Sequence, residues 1–236
     1  MSRTDHGVGA AGSTTLAPVD TGLVAAIEAV GAAVGTRATD RLAAAHDASH
    51  YLLTPLAVVT PTDVGEVARV MAAARAAGAS VTFRSGGTSL SGQAGTDQLL
   101  IDTRHHFRRI DVLDGGERVR AQPGATVRAV NARLARHGRK LGPDPASEIA
   151  CTIGGVIANN SSGMSCGTHA NAYRTLESAV LVLPSGTVID TGAPDAAGRF
   201  ATAEPKMHAG LIALRDRIRS DPASVGTLWT LHTIKN

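Results

Sequence analysis

The stretch Leu56–Gly87, LAVVTPTDVGEVARVMAAARAAGASVTFRSGG, decides how the chain is read. Leu56–Thr60 is a short apolar run stopped by Pro61, the pattern of a buried strand. Asp63 and Glu66 form a D-x-x-E start signal. Val64, Val67, Ala68, Met71 and Ala74 then share one face of a helix over 63–77, and Gly78 suits its end. Val81–Phe83 reads as a second strand. Strand, helix and strand within about thirty residues make a βαβ unit, which implies parallel pairing. Gly86 and Gly87 follow directly on that second strand.

Downstream, Gln98–Asp102 reads as a strand, and Ile110–Val112 with Val119–Ala121 as a hairpin around Asp114-Gly115-Gly116. Thr126 caps a helix carrying Val127, Val130 and Leu134, whose Arg128, Arg133, Arg136 and Arg139 form a solvated face. A Pro- and Gly-rich stretch, 142–163, follows. Thr175–Leu183 and Thr187–Asp190 flank Pro184-Ser185-Gly186 as a second hairpin, 193–202 reads as a loop, and Met207, Leu211, Leu214 and Ile218 predict a helix over 205–220. Upstream, Leu23, Ile27, Val30 and Val34 predict a helix over 21–34, and 39–50 is a second helix or an irregular lead-in.

Residues 1–20 hold too few large apolar side chains to offset their ordering entropy and read as a disordered tail. Gly7, Gly9 and Gly12 match G-x-G-x-x-G there, but no strand precedes them, so the dinucleotide fingerprint is rejected. The expected fold is α+β in two lobes. Parallel strands 57–59 and 81–83 with helix 63–77 make the small lobe. A mixed sheet from 98–102, 119–121, 176–183 and 187–190 makes the other.

Composition narrows the function. The chain has 236 residues, 43% of them hydrophobic, and a net charge of only +3, which argues against a nucleic-acid partner. Aromatic residues make up 3%, too few for base-stacking platforms. No apolar run is long enough for a transmembrane segment, and no secretory signal opens the chain. Cys151 and Cys166 can build neither a disulfide framework nor a four-ligand metal site. The expectation is a cytoplasmic protein, with peripheral membrane association left open and no metal.

Three glycine constellations carry the chemistry. Arg84-Ser85-Gly86-Gly87-Thr88-Ser89-Leu90-Ser91-Gly92-Gln93 stands at the carboxyl end of a strand, where α/β sheets place ligands. Paired glycines let consecutive backbone amides turn into one concavity and bind an anion, and a pyrophosphate suits that arrangement. No Gly-Lys-Ser/Thr follows, so this is not a P-loop. Gly142-Pro143-Asp144-Pro145-Ala146-Ser147 is a rigid turn. In Cys151–Gly163, Gly154-Gly155 allows close approach, while Asn159, Asn160, Ser161 and Ser162 supply neutral donors and acceptors for a polar-edged aromatic ligand. The same segment also reads as a loop tied up by its own side chains. Neither cysteine has a histidine-plus-acid pattern that would make it a nucleophile.

In this order and spacing, LAVVTPTD, RSGGTSLSGQ, the Gln122-Pro123-Gly124 turn, GPDPAS, CTIGGVIANNSSG and NAYRTLESAVLVLPSGTVIDT resemble the FAD-linked oxidases with a vanillyl-alcohol-oxidase-type (PCMH-type) FAD-binding domain. Within that family the likeness is to D-lactate, glycolate and 2-hydroxyglutarate dehydrogenases, above all the two-part forms with an iron–sulfur half downstream. The resemblance implies an FAD-binding domain over 55–192, a helical lead-in over 21–54, and the start of a following region, cut short, over 193–236. It implies FAD held non-covalently, since Thr88 stands in a loop without the histidine that some relatives use for attachment. It puts the pyrophosphate on Ser85, Gly86, Gly87, Thr88 and Ser89. Further flavin or ribityl contacts fall on Pro143, Asp144, Ser147, Thr152, Gly154, Gly155, Asn160, Ser162 and Gly163. The implied reaction is hydride transfer from a 2-hydroxy acid to flavin, with the catalytic residues unknown: His105, His106, His137, His169, His208 and His232 lie in no recognisable substrate motif. The alternative is a non-catalytic FAD-binding module that acts with a partner chain carrying the substrate-binding and iron–sulfur parts. The flavin reductase of N-acetylmuramate synthesis shares the architecture, but GPDPAS and CTIGG favour the hydroxy-acid oxidases.

Overall fold

A computed structural model describes residues 16–167 and 169–226. In chain order the elements are α1 (Thr21–Glu28), β1 (Val34–Gly35), α2 (Ala38–Ala43), β2 (Ala57–Val59), α3 (Val64–Ala76), β3 (Val81–Arg84) and β4 (Leu99–Asp102), then β5 (Ile110–Leu113), β6 (Arg118–Ala121), α4 (Val127–Leu134), α5 (Ile153–Ala158), α6 (Ala172–Thr175), β7 (Val180–Val182), β8 (Val188–Asp190), α7 (Ala196–Ala203) and α8 (Pro205–Ser220).

The first sheet has the order β1-β2-β4-β3. β4 lies parallel to both neighbours, in the register Ala57↔Leu99 and Val81↔Leu99. This corrects the expected partition: residues 98–102 are not in the second lobe but at the centre of the first sheet, and β2 and β3 do not touch along a ladder. A βαβ signal fixes the direction of two strands and leaves room for a third between them. Leu99, Leu100 and Ile101 are all buried, as a central parallel strand requires. Phe83 on the edge strand β3 is 43% exposed. α1 and α3 cover the sheet with Leu23, Ile27, Val70 and Ala74, packed on Val59, Leu99 and Ile101. Each large apolar side chain buried there contributes roughly 1.5–3 kcal/mol.

The start of α3 follows the D-x-x-E signal with one change. Asp63 accepts from the Glu66 amide at 2.8 Å, whereas the Glu66 carboxylate reaches past Asp63 to the amide and hydroxyl of Thr62 at 2.9 and 2.6 Å. The lead-in is not purely helical. α1 ends at Glu28, and Gly31 at φ +92° turns the chain so that Val34 enters β1, antiparallel to β2. The buried Arg41 ties this region down, donating to the carbonyls of Pro55 (2.7 Å) and Ala17 (3.0 Å). Most of the expected tail, residues 1–15, lies outside the described residues. Ala17, through that bond, and Asp20, which caps α1 by accepting from Leu23 at 2.9 Å, belong to the folded body.

The second half is built from two antiparallel hairpins, β5–β6 and β7–β8, each its own two-stranded sheet. α4 packs Val130 and Leu134 on Ile110. Exposed ion pairs link β6 to the second hairpin and its approach, Arg118 to Glu177 at 3.0 Å and Arg120 to Asp190 at 3.8 Å, with no ladder between the hairpins among the described residues. Residues 196–203, expected as loop, form α7, and α8 spans 205–220 as its periodicity predicts.

Glu204 docks this helical pair. It is 5% exposed at the junction of α7 and α8, and its Oε1 accepts from Arg75 of α3 at 2.6 Å and from the Ser185 amide at 2.7 Å. Burial alone would raise its pKa, but the Ser185 bonds and the Arg75 charge outweigh that and hold it below the ordinary 4.5. A carboxylate with a depressed folded-state pKa stabilises the fold above its unfolded value, and that contribution disappears as the pH falls through the folded value. Glu204→Gln is therefore expected to lower the melting temperature at pH 7 and to flatten its pH dependence below about pH 4.5. Thermal melts between pH 3 and 7 check this; parallel curves for the two proteins would exclude it.

Candidate functional site

The site is assembled at the carboxyl end of β3, where the chain leaves the sheet and the loop 85–93 begins. Three backbone segments meet there. The Ser85 hydroxyl donates to the Pro123 carbonyl at 2.9 Å. The Gly86 amide donates to Thr152 Oγ1 at 3.0 Å, and the Gly154 amide donates to Pro123 at 2.9 Å. Gln93 Nε2 reaches Asn159 Oδ1 at 3.2 Å. The first and third glycine constellations thus share one wall, with Pro123 as its hub.

The packing explains why glycine stands at particular places. A Cβ on Gly86 would lie 2.7 Å from the Ala150 carbonyl, and one on Gly154 would lie 2.7 Å from Pro123 Cβ. One on Gly124 would lie 2.7 Å from the Phe107 carbonyl. Gly87 sits at φ +62°, with its carbonyl held by the Ala48 amide at 2.9 Å. The amides of Gly87, Thr88 and Ser89 donate to no protein atom among the described residues. Ser89 Oγ is bonded to Gln93 Oε1 and also accepts from the Ser91 amide at 3.3 Å.

The second constellation closes on the end of the third. Pro143 is buried, and Gly163 lies so close to the Asp144 carbonyl that no side chain fits. Both Asp144 carboxylate oxygens are engaged, by the amides of Ser165 (3.0 Å) and Cys166 (3.1 Å). Burial works to raise the Asp144 pKa; these bonds and the Lys140 charge nevertheless hold it below the usual carboxylate range. The Ser147 carbonyl accepts from Ala150 and Cys151, both at 2.8 Å. Asn160, at φ +44°, accepts from the Tyr173 amide at 3.0 Å. Asp144 and the Asn160 carbonyl oxygen are therefore tied up within the protein, by partners outside the loop 151–163 rather than by that loop's own side chains. Asn160 Nδ2 and the half-buried Ser162 have no such partner among the described residues.

Residues 153–158, inside the stretch read as Pro- and Gly-rich, form α5. Glycine costs a helix about 1 kcal/mol relative to alanine. At Gly154 the contact with Pro123 accounts for it. At Gly155 a Cβ would meet nothing within 4 Å, so protein packing supplies no reason for the missing side chain.

Sequence reading missed three parts of the site: the Pro123 carbonyl as hub, the bond from Ala48 to the loop, and Arg84. Arg84 donates to the carbonyls of Ala44, His46 and Ala94. A cation closing an apolar strand with no acid beside it in sequence was the available signal. Both cysteines are buried and free, and burial pushes the Cys151 thiol up, which suits an inert packing role. His105 lies 3.5 Å from Asp102. No cluster of three or more metal-ligating side chains and no helix long and apolar enough to cross a membrane occurs among the described residues.

A glycine-lined wall thus stands at the carboxyl end of the parallel strand β3, with the amides of Gly87, Thr88 and Ser89 unpaired among the described residues. The chain belongs to the FAD binding domain family, whose model matches residues 55–192. It is 38% identical over 122 residues to glycolate oxidase subunit GlcD of Escherichia coli, covering 50% of this chain and 24% of that one. To D-2-hydroxyglutarate dehydrogenase of Haemophilus influenzae it is 30% identical over 164 residues, covering 68% of this chain and 16% of that one. Among solved structures, BBE-like 1 of Physcomitrella patens superposes with a TM-score of 0.65 at 19% identity, over 77% of this chain and 40% of that one, a likeness of fold. The chain thus spans a quarter or less of the two enzymes' lengths. The residues present fit FAD: amides without a protein partner among the described residues are the chemistry that a diphosphate accepts from, and Gly155 leaves a wall open where packing does not need it.

The contact geometry makes a sharp prediction. Gly86→Ala is expected to cost about 1–3 kcal/mol, because the Ala150 carbonyl belongs to a fixed backbone. Gly155→Ala is expected to hold or raise stability, as alanine favours the helix. Thermal melts of the cofactor-free variants check this, and equal melting temperatures for the two would contradict it.

Proposed function

We propose that residues 85–89 bind the FAD pyrophosphate non-covalently, through the amides of Gly87, Thr88 and Ser89. The observation that carries this reading is the run of three amides, unpaired among the described residues, that begins at the positive-φ Gly87 just after β3. Within that loop Ser85, through its hydroxyl, and Gly86, through its amide, hold the backbone against Pro123 and Thr152. Gly155, Asn160 through Nδ2, and Ser162 face the flavin and ribityl portion. Pro143, Asp144, Ser147, Thr152, Gly154 and Gly163 shape the wall behind them. Non-covalent attachment rests on the absence of histidine and cysteine from residues 84–93.

The whole protein is proposed to be an FAD-dependent oxidoreductase that oxidises a 2-hydroxy acid of the glycolate, D-lactate or 2-hydroxyglutarate class. Bound FAD supplies the hydride acceptor, and these residues supply its position. Support comes from the names of the relatives and from the GPDPAS and CTIGG tracts that carry the family resemblance. No residue of this chain is assigned as the general base, which must stand within hydrogen-bond reach of the substrate hydroxyl. A substrate-binding portion, on this or a partner chain, completes the site. The expected compartment is the cytoplasm.

Titration with FAD, followed by absorbance and by retention on gel filtration, tests the binding reading. Saturable binding is expected, released on denaturation because no covalent bond forms. Gly86→Val with Gly87→Val is expected to abolish it, since a side chain at Gly86 meets the Ala150 carbonyl and a β-branched one at Gly87 resists the φ of +62°. Gly155→Ala is expected to weaken it while the fold stays intact. Undiminished FAD content in the double variant would overturn the assignment. Anaerobic mixing of the loaded protein with D-lactate, glycolate and D-2-hydroxyglutarate is expected to bleach the flavin slowly if at all. Rapid saturable bleaching would place a complete substrate site within these residues.

A further inference from the structure

The segment 44–48 precedes the stretch matched to the family, yet it is bonded to the centre of the anion loop. Arg84 Nη1 donates to the carbonyls of Ala44 (2.7 Å) and His46 (2.9 Å), and its Nε and Nη2 donate to the carbonyl of Ala94 (2.9 and 2.7 Å). One half-buried guanidinium therefore fixes three carbonyls. Two lie on the lead-in, and the third lies just past the far end of the loop 85–93 that Arg84 itself opens. The lead-in then returns a bond to that loop, from the Ala48 amide to the Gly87 carbonyl at 2.9 Å. Asp47 stands beside the same glycine, its Cβ 3.7 Å from where a Gly87 side chain would begin.

The direction of that returned bond matters. In a planar trans peptide the carbonyl and the following N–H point in opposite directions. Holding the Gly87 carbonyl towards Ala48 aims the Thr88 amide the opposite way, out of the lead-in and into the open side of the loop. Gly87 at φ +62° has no side chain to resist the alternative peptide orientation, so the orientation must be imposed from outside. Asp47 adds rigidity, since its Oδ1 accepts from the Ser49 amide at 2.8 Å. Its Oδ2 is buried with no hydrogen-bond partner among the described residues, on a segment that Arg84 holds in place.

We infer that Arg84 is a positioning residue for the cofactor's diphosphate: through the carbonyls of Ala44 and His46 it holds segment 44–48, whose Ala48 amide sets the peptide that presents the Thr88 N–H. The lead-in is then a working part of the FAD site, although Arg84 itself touches no phosphate. Lysine cannot replace it, because one ammonium cannot span three carbonyls in the fixed planar geometry that guanidinium provides. The inference rests on the flavin-binding reading, but its first link, from Arg84 to the Ala48 amide, is testable without flavin.

The experiment compares the wild-type chain with Arg84→Ala and Arg84→Lys by FAD titration and by amide hydrogen exchange of the cofactor-free proteins. Both variants are expected to bind FAD about tenfold more weakly or worse, the equivalent of losing one charge-assisted hydrogen bond. Exchange at Ala48 is expected to quicken in both, while the amides of β2 and β4 keep their protection. Guanidinium at millimolar concentration is expected to restore FAD affinity to Arg84→Ala, and ammonium is not; a general loss of stability would not respond in this way. If Arg84→Ala does not fold, Arg84→Lys carries the affinity and exchange comparisons. Unchanged FAD affinity in a folded variant, or an Ala48 amide as protected as in the wild type, overturns the inference. A wild-type chain that takes up no FAD counts against the flavin reading instead, and the Ala48 exchange comparison still decides whether Arg84 holds the loop.

Discussion

The structure depends on one close approach. The backbone leaving β3 at Gly86 runs against the backbone of residues 150–152 with no space for a side chain, and the Gly86 amide is held by the buried hydroxyl of Thr152. This contact joins the parallel sheet to the second half of the chain, and the Pro123 carbonyl extends it by accepting from Ser85 and Gly154. Three segments from distant parts of the sequence are thereby stacked through their main chains. A wall made of main chain offers amides rather than charged side chains, in keeping with a chain whose net charge is only +3.

Much of the fold was legible where the signal was local. The run 56–60, the D-x-x-E pattern and the helix face ending at Gly78 predict β2 and α3 closely, and β3 lies where Val81–Phe83 placed it. Periodicity likewise found α8. What was hidden was partnership. Nothing within Gln98–Asp102 says that it inserts between β2 and β3, because pairing is decided by burial against α1 and α3. α5 was hidden for another reason: Gly154 and Gly155 oppose a helix by intrinsic preference, and the bonds from Ile153 to Ala125 and from Gly154 to Pro123 override it.

The site was legible as glycines and illegible as hydrogen bonds. The paired glycines after β3 marked where an anion could sit, and Gly163 and Gly154 marked close contacts. The division of labour among them was not visible. Asp144 looks in sequence like a ligand contact, yet both its oxygens serve the turn at Ser165 and Cys166. Arg84 looks like the end of a strand, yet its bonds run forty residues back along the chain, to Ala44. Such contacts connect groups that sequence separates, and no local pattern announces them.

The strand order has a consequence for how the chain assembles. β4 is the last of its sheet to be synthesised, yet it is the strand to which β2 and β3 both pair. Until residue 102 has emerged, β2 and β3 have no common partner, and α3 has only an incomplete apolar surface to lie on. Parallel pairing closes long loops before it returns any stability, so such sheets form late and cooperatively. The nascent chain must therefore carry Val59, Val70 and the flanking apolar residues unsheltered through the synthesis of some forty residues. In that interval the apolar faces of β2 and α3 lack the central strand that completes their burial in the finished sheet.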